Sequence, residues 1–239
     1  MRFLFSFLLA FSILWAEPSD FDAEFQQTES SNTSDPLSGY NEVMTSFNDT
    51  FYEYTLRPVA KAYAYVIPQT GRECVSNVFD NLLFPVRFIN NVLQLKFANS
   101  FEELGRFAIN STLGFGGLID VAYNDYGLKP HDEDFGQTLG YYGIGSGFHI
   151  VLPLLGPSNL RDVVGFAGDW WANPLAYVRQ RDINLLDNST ESFMLSTFRV
   201  VNTTSLHTDE IDALRKNAID LYPFWRNVYE SRREKQIKE

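Results

Sequence analysis

The sequence predicts an all-α, single-domain protein of amphipathic helices built around a glycine-rich hairpin, and three observations lead there. Apolar residues recur with helical period along most of the chain, and strand-like alternation is nearly absent. The third is a stretch over residues 135–160, FGQTLGYYGIGSGFHIVLPLLGPSNL, which runs 26 residues without a formal charge and holds six of the fifteen glycines. Its length and apolarity suit a membrane. Gly136, Gly140, Gly143, Gly145, Gly147, Pro153, Gly156 and Pro157 would break any single helix laid through it, so a bent hairpin is expected. Non-helical backbone at bilayer depth needs protein or a water-filled cavity around it, which assigns the rest of the chain as scaffold.

The elements follow in order. Residues 1–16 have the layout of a secretory signal peptide, with Arg2, a short apolar run and Ala16 before Glu17-Pro18. Residues 17–34 are polar and acidic without periodicity, a flexible leader, and the folded domain is expected over 35–239. Tyr40, Val43, Met44, Phe47, Phe51 and Tyr54 form one helical stripe opposite Asn41, Glu42, Asn48 and Asp49, and Arg57-Pro58 is expected to interrupt that helix. Further helices are expected over 58–66, 71–83, 85–97 and 101–112, the last opened by a capping box at Ser100 with Glu103. A glycine elbow at Gly114, Gly116 and Gly117 repeats the long uncharged stretch in miniature, and a short helix or turn at 119–126 follows it. Residues 148–152 carry the one strand signal. Ser158 reads as the N-cap of a helix to about Trp171, and a break at Pro174 precedes a helix over 188–201. The C-terminal helices are expected to split at Pro223, with 231–239 a solvated, locally basic end.

Composition narrows the function. The formal net charge of −11, which becomes −12 once Arg2 leaves with the signal peptide, argues against nucleic acid as a partner. The single cysteine, Cys74, excludes an internal disulfide, and no cysteine near Ala16 offers a site for lipidation. A serine-hydrolase elbow needs Gly-Xaa-Ser-Xaa-Gly, but Ile144 stands two residues before Ser146. Gly143, Gly145 and Gly147 likewise miss the dinucleotide spacing, because Phe148 holds the last glycine's place. Residues 131–134, His-Asp-Glu-Asp, read as a solvated acidic loop without the spacing of a metal site, and no cofactor is expected. His149, inside the uncharged stretch, reads either as a buried proton switch or as a hydrogen-bonded interface residue. Aromatic residues at 15% of the chain, with the pairs Tyr141-Tyr142 and Trp170-Trp171, add weight to a membrane interface.

Five blocks, in order, resemble the MlaA family, also called VacJ. They are DPLSGYN from Asp35, RPVA from Arg57, NSTLGFGGLIDVA from Asn110, DFGQTLGYYGIG from Asp134 and LPLLGPSNLRD from Leu152. The resemblance implies a ring of helices in the periplasmic leaflet of the outer membrane, with an amphipathic channel that removes phospholipid from the outer leaflet. It implies as partners a trimeric porin and the periplasmic lipid carrier MlaC. Carried onto this chain, it implies a gating hairpin with Tyr141, Tyr142, Gly143, Gly145, Gly147, Phe148 and Pro153, and a first helix whose Asn41, Phe47 and Asn48 border the channel. An envelope phospholipase starting from Ser146 and His149, and a porin-binding surface protein that transports nothing, remain the alternatives.

Overall fold

A computed structural model describes residues 35–173 and 189–239. The expected signal peptide, the leader, Pro174 and the start of the 188–201 helix at Asn188 lie outside the described residues. The first helix, α1 (Ser38–Phe51), passes through a π-helical turn at Tyr52–Leu56 straight into α2 (Arg57–Val66). Pro58 therefore does not interrupt it. The Arg57 N–H reaches back five residues to the Tyr52 carbonyl, and this widened turn makes room for the proline ring and its missing donor.

α3 (Gln69–Leu82) and α4 (Phe84–Leu93) follow, with Pro85 in the first turn of α4, where no intrahelical donor is needed. α4 stops short of the expected residue 97 because Leu95 turns the backbone left-handed, with φ of 61°. α5 (Phe97–Thr112) then starts four residues earlier than expected, so Ser100 lies inside the helix and its hydroxyl donates to the Lys96 carbonyl at 3.0 Å. Glu103, expected to complete a cap, is instead wholly buried and accepts from Arg87 Nε at 2.8 Å and from the His131 N–H at 2.7 Å. α6 (Val121–Asn124), α7 (Phe135–Tyr141), α8 (Leu160–Ala172) and α10 (Leu221–Lys238) are capped by the side chains of Asp120, Asp134, Asn159 and Asp220. The cap of α8 is thus Asn159 rather than Ser158, which belongs to a strand. Pro223 sits in the first turn of α10 and splits nothing, because the break after α9 (Ser189–Asn217) falls at residues 218–220.

The expected strand exists. β1 (His149–Leu152) pairs antiparallel with β2 (Gly156–Asn159), His149 opposite Asn159 and Leu152 opposite Gly156. Leu154 and Gly156 take positive φ in the tight connection between them.

Packing follows a closed order. α2 lies on α9, α9 on α3, α3 on α4 and α5, α4 on α7 and α8, α7 on α10, and α10 on α1, which runs on into α2. The β hairpin fills the gap between α1, α8 and α10. The only sizeable apolar cluster among the described residues joins the π turn to α9 through Tyr52, Leu56, Val200 and Ile211. Arg215 reinforces that junction, reaching Asp49 at 2.7 Å and Glu53 at 2.6 Å while stacking over the Tyr52 ring.

Polarity is inverted relative to a water-soluble fold. Tyr40, Val43, Phe47 and Tyr54, the apolar stripe of the first helix, face outward, whereas Asn41 and Thr45 are buried. The same inversion recurs in α4, whose buried residues are Asn90 and Asn91, and in α5, which buries Ser100, Glu103, Arg106 and Asn110. Among the described residues, buried polar side chains outnumber buried apolar ones, while Tyr65, Phe101, Phe115 and Trp171 stand exposed. Such an exterior is stable in hydrocarbon and costly in water.

Candidate functional site

The hairpin edge, the α8–α10 interface and the outward apolar surface make up the site. β1 has only one strand neighbour, so its free edge needs other hydrogen-bond partners. Two asparagines of α1, seven residues apart on one face, supply them. Asn41 donates to the His149 carbonyl at 3.1 Å and accepts from the Val151 N–H at 2.8 Å. Asn48 donates to the Leu152 carbonyl at 2.9 Å and accepts from the Leu154 N–H at 2.7 Å. Each carboxamide thereby mimics a residue of a third strand. Asn41 is at 0% exposure and also bonds the Tyr222 hydroxyl. Phe47 faces outward on another side of α1.

Behind the hairpin, Arg233 of α10 holds a buried ion network. Its guanidinium grips the Asp134 carboxylate with two bonds of 2.6 and 2.8 Å and reaches Asp162 through Nε at 2.8 Å. Arg161 Nε and the Tyr229 hydroxyl complete Asp162. Burial opposes ionisation of Asp162, but Arg233, Arg161 and Tyr229 together hold its carboxyl below the usual range. Asp169, two helix turns beyond Asp162, differs: burial first, and then the Asp134 charge, push it up to about 8. Both of its bonds, from the Phe135 N–H at 2.9 Å and Asn90 Nδ2 at 3.0 Å, fall on Oδ1. The end at 231–239 is helical, as a helix end should be, but it is not wholly solvated, because it carries a buried anchor at Arg233. Residues 131–134 are likewise not a solvated loop. Glu133 is buried, accepting from Gln94 at 2.7 Å and from Lys96 at 2.6 Å, and Asp134 caps α7. No group of three or more metal-ligating side chains occurs among the described residues.

A cleft opens between the hairpin, α8 and α10. Leu152, Leu155, Pro157 and Phe166 line it together with Ser158, Asp169, Tyr229, Arg232 and Gln236, next to the Arg233 network. The expected gate residues lie beside it. Tyr141 and Tyr142 are exposed and stack edge to face, and the Tyr142 hydroxyl donates to the Leu93 carbonyl at 2.6 Å. Gly143 and Gly147 take φ of 83° and 72°, whereas Gly145 has no such requirement and open space around it. The Phe148 carbonyl accepts from the Leu160 N–H, closing the neck of the loop, and Pro153 stands exposed at its tip. Across the molecule, the glycine elbow is set by contact: a Cβ on Gly114 would lie 2.3 Å from the Ile119 carbonyl oxygen, and one on Gly117 2.6 Å from Asn81 Cβ. Gly116 has a positive φ and open surroundings, and its neighbour Phe115 projects outward.

A family model described as "MlaA lipoprotein" matches residues 33–236. The chain belongs to the MlaA family. A solved MlaA-like structure concerned with maintenance of bacterial outer membrane lipid asymmetry superposes with a TM-score of 0.72 at 32% identity, over 85% of this chain and 99% of that one. An uncharacterised protein of Rickettsia typhi is 30% identical over 209 residues, covering 85% of this chain and 78% of its own. The MlaA lipoprotein of the intermembrane phospholipid transport system of Escherichia coli K12 is 37% identical over 154 residues, 63% of this chain and 61% of its own. These matches bear out the all-helical MlaA fold. The sequence reading missed Arg233, Tyr229, Asp169 and the paired Asn90-Asn91 as parts of the site. An Asn-Asn pair inside the apolar helix FPVRFINNVL was the available signal, because two amides in such a helix need buried partners.

Proposed function

We propose that this chain seats itself in one leaflet of the outer membrane and passes phospholipid through its polar interior, returning lipid from the outer leaflet to a periplasmic carrier. The observation that carries this reading is the inverted polarity. Apolar side chains of α1, α2, α5 and α8 face outward while amides, carboxylates and guanidinia fill the inside of a closed helical order. No described helix is long and apolar enough to cross a membrane, so immersion in a single leaflet fits the surface better than spanning. A phospholipid needs a polar path for its headgroup beside an apolar wall for its tails, and a closed helical order that is polar inside and apolar outside supplies both chemistries. The hairpin loop from Tyr141 to Gly147 is the gate, with Gly143 as its hinge; a trimeric porin and the carrier MlaC are the partners. The relatives named for phospholipid transport support this reading.

The phospholipase alternative finds no assembled pair. Ser146 Oγ contacts the Gly147 carbonyl at 3.4 Å, and the buried His149 ring bonds Glu230 at 2.9 Å. The test is the amount of phospholipid exposed on the surface of cells lacking the gene. It should rise and return to normal on complementation; an unchanged amount contradicts the proposal.

A further inference from the structure

Away from the cleft, charged side chains of several elements converge on one space inside the closed helical order. Asp80 of α3 stands 3.8 Å from the Arg199 guanidinium of α9, and Arg87 Nε of α4 lies 3.7 Å from Asp132. Burial pushes the Asp80 carboxyl up, and the charges of Arg199, Arg87 and Asp132 all act on it. Yet 55% of the Asp80 side chain and 63% of the Asp132 side chain are open to solvent. A carboxylate crowded by protein and still wet projects into a walled, water-filled space. Arg199 borders the same space, with Phe79 against its guanidinium at 6.0 Å, and burial weakens its hold on charge. At 3.8 Å the Arg199–Asp80 contact is an ion pair without a hydrogen bond. Among the described residues neither charged head takes part in any hydrogen bond, so the guanidinium donors and the carboxylate oxygens stay available. Arg87, by contrast, is committed, giving Nε–H to Glu103 at 2.8 Å and Nη1–H to the Asp80 carbonyl at 2.9 Å. The ion pairs that link Arg199, Arg87 and Arg106 to Asp80, Asp132, Glu103 and Asp120 leave one carboxylate in excess. A purely anionic ligand adds to that excess, whereas a ligand that also brings a cation offsets it.

We propose that Arg199 and Asp80 form a zwitterion-recognising pair in the polar interior, Arg199 taking the phosphodiester and Asp80 the ammonium of an aminophospholipid such as phosphatidylethanolamine. This rests on the phospholipid reading above and adds to it a preference among headgroups. The ammonium of such a headgroup follows its phosphate by a short linker, so neighbouring charges of opposite sign meet a neighbouring pair of opposite sign. Both protein groups gain: the phosphate strengthens the hold of Arg199 on its charge, and the ammonium favours the ionised form of Asp80. Their own contact opens without breaking a hydrogen bond. Phosphatidylglycerol, which has the phosphate and no ammonium, meets Arg199 and is repelled by the carboxylates around it.

Native mass spectrometry of the full chain in detergent tests this, with equal amounts of phosphatidylethanolamine and phosphatidylglycerol of the same acyl chains as probes. Wild type should retain phosphatidylethanolamine about tenfold better, the worth of one charge-assisted hydrogen bond. Asp80→Asn should abolish that preference by holding phosphatidylethanolamine less and phosphatidylglycerol more. A merely structural role for Asp80 would weaken both lipids alike and overturn the proposal. Arg199→Gln should weaken both lipids by a similar factor, and Arg199→Lys should recover part of the loss; wild-type retention in Arg199→Gln would also overturn it. Free phosphoethanolamine at the lipid's concentration should displace neither lipid, and displacement would mean a site for a soluble zwitterion and overturn the proposal. If Arg199→Gln does not fold, Asp80→Asn, at a half-exposed position, decides. Wild type that holds both lipids equally sinks the recognising pair alone, whereas wild type that holds neither counts against the phospholipid reading itself.

Discussion

At the residue scale, the side chains that matter most are amides in unusual places. Asn48 satisfies both a donor and an acceptor on the free edge of the hairpin, so Asn48→Ala should strand two backbone groups and cost about 1–3 kcal/mol. The Leu154 amide should then exchange its hydrogen at least tenfold faster, and unchanged protection would show that the edge is held by something else. Asp169 makes an opposite kind of contribution. Its carboxyl has a higher pKa in the folded chain than the ordinary value near 4, so the folded state binds its proton more tightly than the unfolded state. The associated stability is complete below about pH 4 and drains away as pH rises through about 8. Asp169→Asn should flatten that decline and raise Tm at pH 8 more than at pH 4. Equal shifts at both pH values would contradict the assignment. Asp162, held below the usual range by its arginines, has the reverse sign, giving stability at neutral pH that is lost on acidification.

At the element scale, glycine sets two different limits. α7 and α8 cross at Gly136 and Gly165, where a Cβ on Gly165 would stand 2.5 Å from the Gly136 nitrogen. Gly165→Ala must therefore push the helices apart and strain the Asp134–Arg233–Asp162 network between them, and a loss of about 2 kcal/mol or more is expected in denaturant melts. In the loop proposed as the gate the limit is conformational. Gly143 has a positive φ, so alanine there costs about 1 kcal/mol and should impair transport, whereas Gly145→Ala meets open space with an ordinary backbone and should be neutral. Equal surface phospholipid in strains carrying either variant would remove Gly143 from the gate. The elements themselves were legible as helical periods, as in α1, and the strand at β1 in its one short apolar run. Their ends were less so. Ser100-Xaa-Xaa-Glu103 has the letters of a cap, but Arg87, Arg106 and His131 draw Glu103 inward, a tertiary demand that no local window contains. Pro58 has the letters of a break, yet a π turn absorbs it.

At the scale of the whole molecule, the decisive property is which side of each helix faces in. Periodicity in α1 separates Asn41 and Asn48 from Tyr40, Val43 and Phe47 without saying which set is the core. The glycine-rich stretch and the family blocks implied a membrane setting but not which face of each helix turns inward, and the placements of Arg233, Asp134 and Asp162, on three separate elements, depend on contacts spanning up to 99 residues of sequence. Accessibility of spin labels in phospholipid vesicles tests that arrangement most directly. With Cys74 replaced by serine, labels at Tyr65→Cys, Phe115→Cys and Trp171→Cys should collide more with oxygen than with a water-soluble nickel chelate, and a label at Asp125→Cys should do the reverse. Chelate that reaches the first three positions as freely as Asp125 would contradict a chain that turns its apolar side to the lipid.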